Sequence, residues 1–157
     1  MINTGIDEKA RIAVAQRLNT LLADEFVLYT KTLKCHWNVE GKHFGAMHEF
    51  FKEQYESLFT ICDDVAERAR ALDVMSLGTL SEFSKNTRLQ EQPGTNPDDL
   101  GMCAWLLADH EAIIRTLRSD IKADSQDGDE GTANFLTDLM EKHEKMAWML
   151  RAFVVKK

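Results

Sequence analysis

Only two prolines interrupt the 157-residue chain, Pro93 and Pro97, and both fall in one segment, QEQPGTNPDDLG. Proline removes a backbone donor and clashes with the preceding helical turn, so long proline-free stretches leave helices free to run on. Apolar residues recur in those stretches at spacings of three and four, and none alternates as a strand would. The pattern predicts a first helix over residues 7–35, with Ile12, Ala15, Leu18, Leu22, Val27 and Leu33 in its apolar stripe. The NVEGK segment breaks it, with Gly41 as the permissive residue. A second helix is predicted over 43–72, with Met47, Phe51, Tyr55, Leu58, Ile61 and Val65 facing the core, and a short one over 79–85. A third is predicted over 97–123. Asn96 is read as its cap, Pro97 as a first-turn residue, and Asp98 and Asp99 as complements to the helix dipole. The acidic DSQDGDEG loop leads into a fourth over 131–154.

Short loops put the first helix beside the second and the third beside the fourth. The longest connection crosses between the pairs. That is the ferritin-like arrangement of an all-α four-helix bundle, here with a short extra helix in the crossover. The length suits a single domain spanning residues 1–157 with a substantial core.

Charge and cysteine usage narrow the function. The formal net charge of −7 argues against sequence-independent nucleic-acid binding through the body of the protein and is compatible with attracting cations. No run of about 18 apolar residues appears, so no membrane span is expected. MINTGIDEKAR lacks the apolar centre of a signal peptide, so a cytoplasmic location is expected. Cys35, Cys62 and Cys103 are odd in number and widely spaced, and are read as small buried apolar residues.

Three of the five histidines lie in CHWNVEGKHFGAMH, residues 35–48. Ferritin-like bundles that hold two iron ions in their core use Glu-x-x-His motifs on two helices. Here only Glu40–His43 has that spacing, and it lies in a connection, so the core arrangement is absent. The second helix offers another route: His48 near its start, and Asp63 and Glu67 one turn apart near its end. At ~100° per residue the three share a broad face, but Asp63 lies about 22 Å along the axis from His48, too far for one ion. A two-fold axis removes the difficulty. Two antiparallel copies of this helix crossing near residues 57 and 58 bring position 48 to 67 and position 52 to 63. His36, at the end of the first helix, joins the group. The predicted site is His36 and His48 from one subunit with Asp63 and Glu67 from the other, twice per isologous dimer. Imidazole with carboxylate suits iron. The plainer alternative is that Asp63 and Glu67 are solvated charges on an i, i+4 Glu–Arg surface.

KCHWNVEGKHFGAMHEFF, followed by QYESL and DDVAERARAL, resembles the Dps family of mini-ferritins, the DNA-binding proteins from starved cells. The resemblance extends to ADHEAIIRTLR and to DEGTANFLTDLMEKHEKMAWMLRAF, almost the whole chain. It implies a hollow dodecamer that oxidises Fe(II), with hydrogen peroxide preferred over oxygen, and stores the ferric mineral, limiting oxidative damage. The family's ferroxidase sites lie at two-fold interfaces, and its ligands fall on His36, His48, Asp63 and Glu67. Its tryptophan beside the iron falls on Trp37, implied either to relay electrons and quench radicals or simply to pack the interface.

The chain departs from the family at Lys52, where an Asp or Glu is usual. An ammonium cannot ligate iron at neutral pH. By the pairing above it faces the partner's Asp63, which implies an ion pair competing with metal. The alternative function is therefore a shell that sequesters iron, or a nucleoid-associated one, with impaired oxidation. The resemblance also implies three-fold pores lined by Asp129 and Asp138, with Asn134 where an Asp is common; an ordinary acidic loop is the alternative. DNA binding is expected to be weak or absent, because the N-terminal extension is short and mixed in charge and the C-terminus offers only Lys156 and Lys157. His43 is read as a turn or interface residue, and His110 and His143 as hydrogen-bonded structural residues.

Overall fold

Side-chain caps define most of the helix starts in a computed structural model that describes residues 2–154. Lys156 and Lys157 lie outside the described residues. Asp7 accepts the amides of Lys9 and Ala10 at 2.9 and 3.3 Å and opens α1, Glu8–Asn38. Helix α2, Phe44–Ala71, follows a turn in which Gly41 takes φ +101°, a left-handed conformation that glycine adopts at no steric cost. Thr79 and Glu82 form a reciprocal capping box at the head of α3, Leu80–Asn86. Asp98 accepts the Gly101 amide at 2.8 Å and opens α4, Asp99–Gln126. Asp129 accepts the Thr132 amide at 2.9 Å at the start of α5, Glu130–Val154.

Two expectations about helix ends change. Asp98, rather than Asn96, caps α4, while Asn96 donates its side-chain amide to the Asn38 carbonyl at 3.4 Å. Helix α1 runs three residues beyond Cys35, because nothing breaks it before Val39, which is extended (φ −66°, ψ 136°). His36 and Trp37 therefore sit on the last turn of the helix rather than beyond it.

Helix α1 packs along α2, α4 along α5, and α3 lies against α1, the predicted four-helix arrangement with its crossover helix. Leu18, Leu28, Phe51, Leu58, Leu106, Leu117 and Leu136 are sealed in the shared core. Each such side chain contributes about 1.5–3 kcal/mol over leaving it in water. Ile12 is out of phase and exposed, and Val14 takes its place in the core. The three cysteines are buried and unpaired, and burial pushes the Cys35 and Cys103 thiols up to about 12, so both stay protonated. Polar bonds tie the crossover to α1: Lys31 Nζ donates to the Gln90 carbonyl at 2.7 Å, and Lys34 Nζ to those of Gln92 and Thr95. Asp24 accepts from the Arg88 amide and pairs with its guanidinium at 2.6 Å. No described helix is long and apolar enough to cross a membrane.

Candidate metal centre

The α1–α2 hairpin brings the His36 and His48 rings face to face, centroids 3.7 Å apart and planes 21° from parallel. Each imidazole donates from Nδ1 to the other residue's backbone carbonyl, His36 to His48 O at 2.7 Å and His48 to His36 O at 2.9 Å. A carbonyl only accepts, so Nδ1 carries the hydrogen and the neutral ring keeps a bare lone pair on Nε2. Metal-binding histidines are commonly oriented by such a bond from their other nitrogen. The His36 carbonyl is one of the four at the end of α1 that lack an intrahelical partner, so His48 also caps that helix. Among the described residues, neither Nε2 is bonded within the subunit or sealed from solvent.

Aromatic rings enclose this pair. Phe44 stacks on His48 at 5.1 Å, and Tyr55 meets His36 edge-on at 5.2 Å. Trp37, by contrast, points outward and is 68% exposed. From the sequence Tyr55 was read only as a core residue of the second helix, and Phe44 was given no role. The available signal was spacing: Tyr55 follows His48 by two helical turns and so shares its face.

Asp63 and Glu67 are exposed at the far end of α2. Among the described residues of one subunit, no group of three or more His, Cys, Asp or Glu side chains is gathered to hold a metal ion. His36 and His48 come together; Asp63 and Glu67 do not join them within the chain. The outward stripe of α2 runs from His48 through Lys52, Glu56, Phe59 and Asp63 to Glu67. Leu58 is buried in its own subunit, while Glu56, Ser57 and Phe59 around the expected crossing are exposed. Phe59 is 60% exposed. Lys52 is half-buried and, among the described residues, has no ion partner in its own subunit.

The acidic residues near α5 divide. Asp129 is buried: Oδ1 accepts from the Thr132 amide and pairs with Arg68 at 2.9 Å, while Oδ2 accepts the Thr132 hydroxyl at 2.6 Å. Both oxygens are thus engaged inside the subunit. Asp138 is exposed in a groove with Asp64, Glu67 and Lys142. His43, at the N-cap position of α2, pairs through Nδ1 with Asp99 at 2.7 Å, a turn residue as expected.

His110 and His143 lie in the core, both 0% exposed. Their Nδ1 atoms are 2.9 Å apart, and His143 Nε2 meets Glu25 Oε1 at 2.8 Å. Glu25 was missed, although it lies four residues from Leu21 and three from Leu22 and Leu28, in phase with the core stripe. His110 Nε2 and Glu25 Oε2 are buried without partners among the described residues.

Comparison with known proteins agrees with this architecture. The family model described as a ferritin-like domain matches residues 15–157. An uncharacterized low temperature-induced protein of Nostoc sp. is 42% identical over 154 residues, covering 98% of this chain and 86% of that protein. A Bacillus anthracis protein named DNA protection during starvation protein 2 is 33% identical over 141 residues, 90% of this chain and 96% of that one. The crystal structure of a Dps protein from Vibrio cholerae, described as ferritin-like and diiron-carboxylate, superposes with a TM-score of 0.92 at 30% identity, covering 98% and 96% of the two chains.

Proposed function

Because this chain belongs to the Dps family of mini-ferritins, within the ferritin-like proteins, we propose that it binds Fe(II), oxidises it and stores the ferric product in a multi-subunit shell. The observation that carries this reading is the reciprocal Nδ1–carbonyl pairing of His36 and His48, which leaves an Nε2 lone pair on each of two stacked rings. In this reading Asp63 and Glu67 of a second copy complete the site across a two-fold axis, and Phe59 is the apolar centre of that contact. The shell is a dodecamer, and the protein acts in the cytoplasm.

Iron is the substrate. The two imidazoles supply neutral nitrogen donors and the two carboxylates supply the charge that holds Fe(II) at neutral pH. Hydrogen peroxide, or oxygen, accepts the electrons; reduction of peroxide by two electrons forms water without releasing hydroxyl radical. Exposed Asp138 is available to line an entry pore. Asp129 holds the adjoining helix start in place rather than presenting a free carboxylate.

A second reading follows from Lys52. With no ion partner among the described residues of its own subunit, the ammonium is available to the partner's acidic pair, which weakens or halves metal binding. The protein is then mainly a sequestering shell. DNA binding through the body of the protein is disfavoured by the charge of −7.

Stopped-flow growth of ferric absorbance after mixing Fe(II)-loaded protein with peroxide tests both readings. The wild type is expected to oxidise iron faster than buffer does. Lys52→Asp is expected to bind more Fe(II) per subunit and oxidise it faster. A wild type no better than buffer overturns the ferroxidase reading, and superimposable curves for the two proteins remove the role of Lys52.

A further inference from the structure

Helices α2 and α5 each pack along a different neighbour, α1 and α4, and touch one another only sparsely. Between them lies a groove of about 450 Å³. Phe50, Ile61 and Met146 are buried in its lining, and Met149 is half-buried there. One polar side chain interrupts this apolar surface. Gln54 is 3% exposed, and its Nε2 reaches the Met146 carbonyl at 3.5 Å. A carbonyl only accepts, so the amide nitrogen turns toward Met146 and the amide oxygen turns away from it. That oxygen, Oε1, is buried and has no partner among the described residues. The hydroxyls lining the groove are committed elsewhere: Ser57 donates to the Glu53 carbonyl at 3.0 Å, and Thr60 to that of Glu56 at 3.3 Å. A buried acceptor without a donor is costly, and a leucine at this position would carry no such cost. Lys142 and Lys145 complete the lining from α5; both are exposed, and neither has an ion partner among the described residues. Gln54 follows His48 by six residues, about 240° around α2, so the groove lies on another face from the histidine pair.

We propose that the α2–α5 groove binds a small phenolic acid, its hydroxyl donating to Gln54 Oε1 and its carboxylate resting beside Lys142 and Lys145. Each part of the ligand answers one part of the lining. Gln54 Oε1 requires a donor, which a simple carboxylate or an aliphatic chain does not carry. Phe50, Ile61 and the two methionines take an apolar body, and thioether sulfur favours contact with an aromatic ring. The two ammonium groups favour a negative end that stays near water. A fully ionised inorganic anion fits less well, because its charge would lie against the apolar lining without a partner. Pockets of this size with few, well-placed polar groups are typical of small-molecule sites. The site is independent of the iron reading.

The test titrates the assembled full-length protein with three probes by calorimetry: 4-hydroxybenzoate, benzoate and phenol. The first carries both the donor and the charge, and each of the others lacks one of them. 4-Hydroxybenzoate is expected to bind saturably, once per subunit and about tenfold more tightly than either of the others. Gln54→Leu keeps an apolar side chain of similar length in the lining. It is expected to erase the preference for 4-hydroxybenzoate over benzoate while leaving benzoate binding as it was. The surface double variant Lys142→Met, Lys145→Met is expected to erase the preference over phenol and the weakening by added salt. This second variant decides the matter if Gln54→Leu does not fold. No saturable binding of 4-hydroxybenzoate to the wild type overturns the inference. So does equal binding of all three probes, or a preference that survives in the variants.

Discussion

Two pairs of histidines in this molecule are built from the same ring and put to opposite ends. His36 and His48 each bond to a backbone carbonyl, which fixes the hydrogen on Nδ1 and leaves Nε2 open. His110 and His143 bond to one another and then to Glu25, and the chain ends in a sealed Nε2 without a partner. A carbonyl partner is fixed by the helix itself, so it orients a ligand without adding a group that titrates. A side-chain partner shares protons and charge, so the second pair ties three helices, α1, α4 and α5, into one buried network. The difference teaches that what a histidine bonds with its first nitrogen decides what its second is free to do.

Truncating the core pair gives the largest expected effect. His143→Ala removes a buried ring and strands both Glu25 and His110, and should cost about 3 kcal/mol of stability. Denaturant unfolding measures this, and a loss near zero would remove the distinction between the pairs. Truncating the open pair should do the reverse. His36→Ala or His48→Ala is expected to slow peroxide-driven iron oxidation by at least about tenfold. The same variants should cost only about 1 kcal/mol of stability, since each loses one partly solvated hydrogen bond.

The smallest effect is a difference in pH dependence. Burial, and then neighbouring His143, hold His110 well below its ordinary value of 6.5. The unfolded chain therefore takes up a proton near 6.5 while the folded one does not. Stability from this group is full above about 6.5 and falls below it, by up to about 1.4 kcal/mol per pH unit. Asp124 works in the other direction: burial pushes its carboxyl up to about 6, so acid below that value relieves a cost of folding. Comparing the wild type with His110→Gln isolates the histidine. The variant should lose less stability between pH 7 and 5.5, and parallel curves would rule His110 out as the acid-sensitive member.

The helices and their pairing could be read from proline placement and apolar spacing, because both act over many residues at once. Individual ends could not. Trp37 and Asn38 look like loop residues, yet with no breaker before Val39 the helix continued through them, and the nearest carboxylate, Asp98, displaced Asn96 as the cap. His36, His48, Asp63 and Glu67 stood out by residue type and spacing. The stacking of the two rings did not, since it depends on how closely α1 and α2 approach. Glu25 stayed hidden because a glutamate on a helix usually signals water; only its phase with Leu18 and Leu28 marks it as inward-facing. Asp129 was legible as an acid at a helix start, but its bond to Arg68 on α2 joins residues far apart in sequence.

The crossed bonds of His36 and His48 also act as a latch. Each ring holds the backbone of the opposite helix, across a turn of five residues between Asn38 and Phe44. Any motion that opens this hairpin releases both rings together, so escape of a bound ion is paced by the breathing of the turn as well as by the strength of its ligands. Conversely, an ion seated on both rings keeps the latch shut. Slower exchange of the amide hydrogens from Val39 to Phe44 would then mark a loaded subunit.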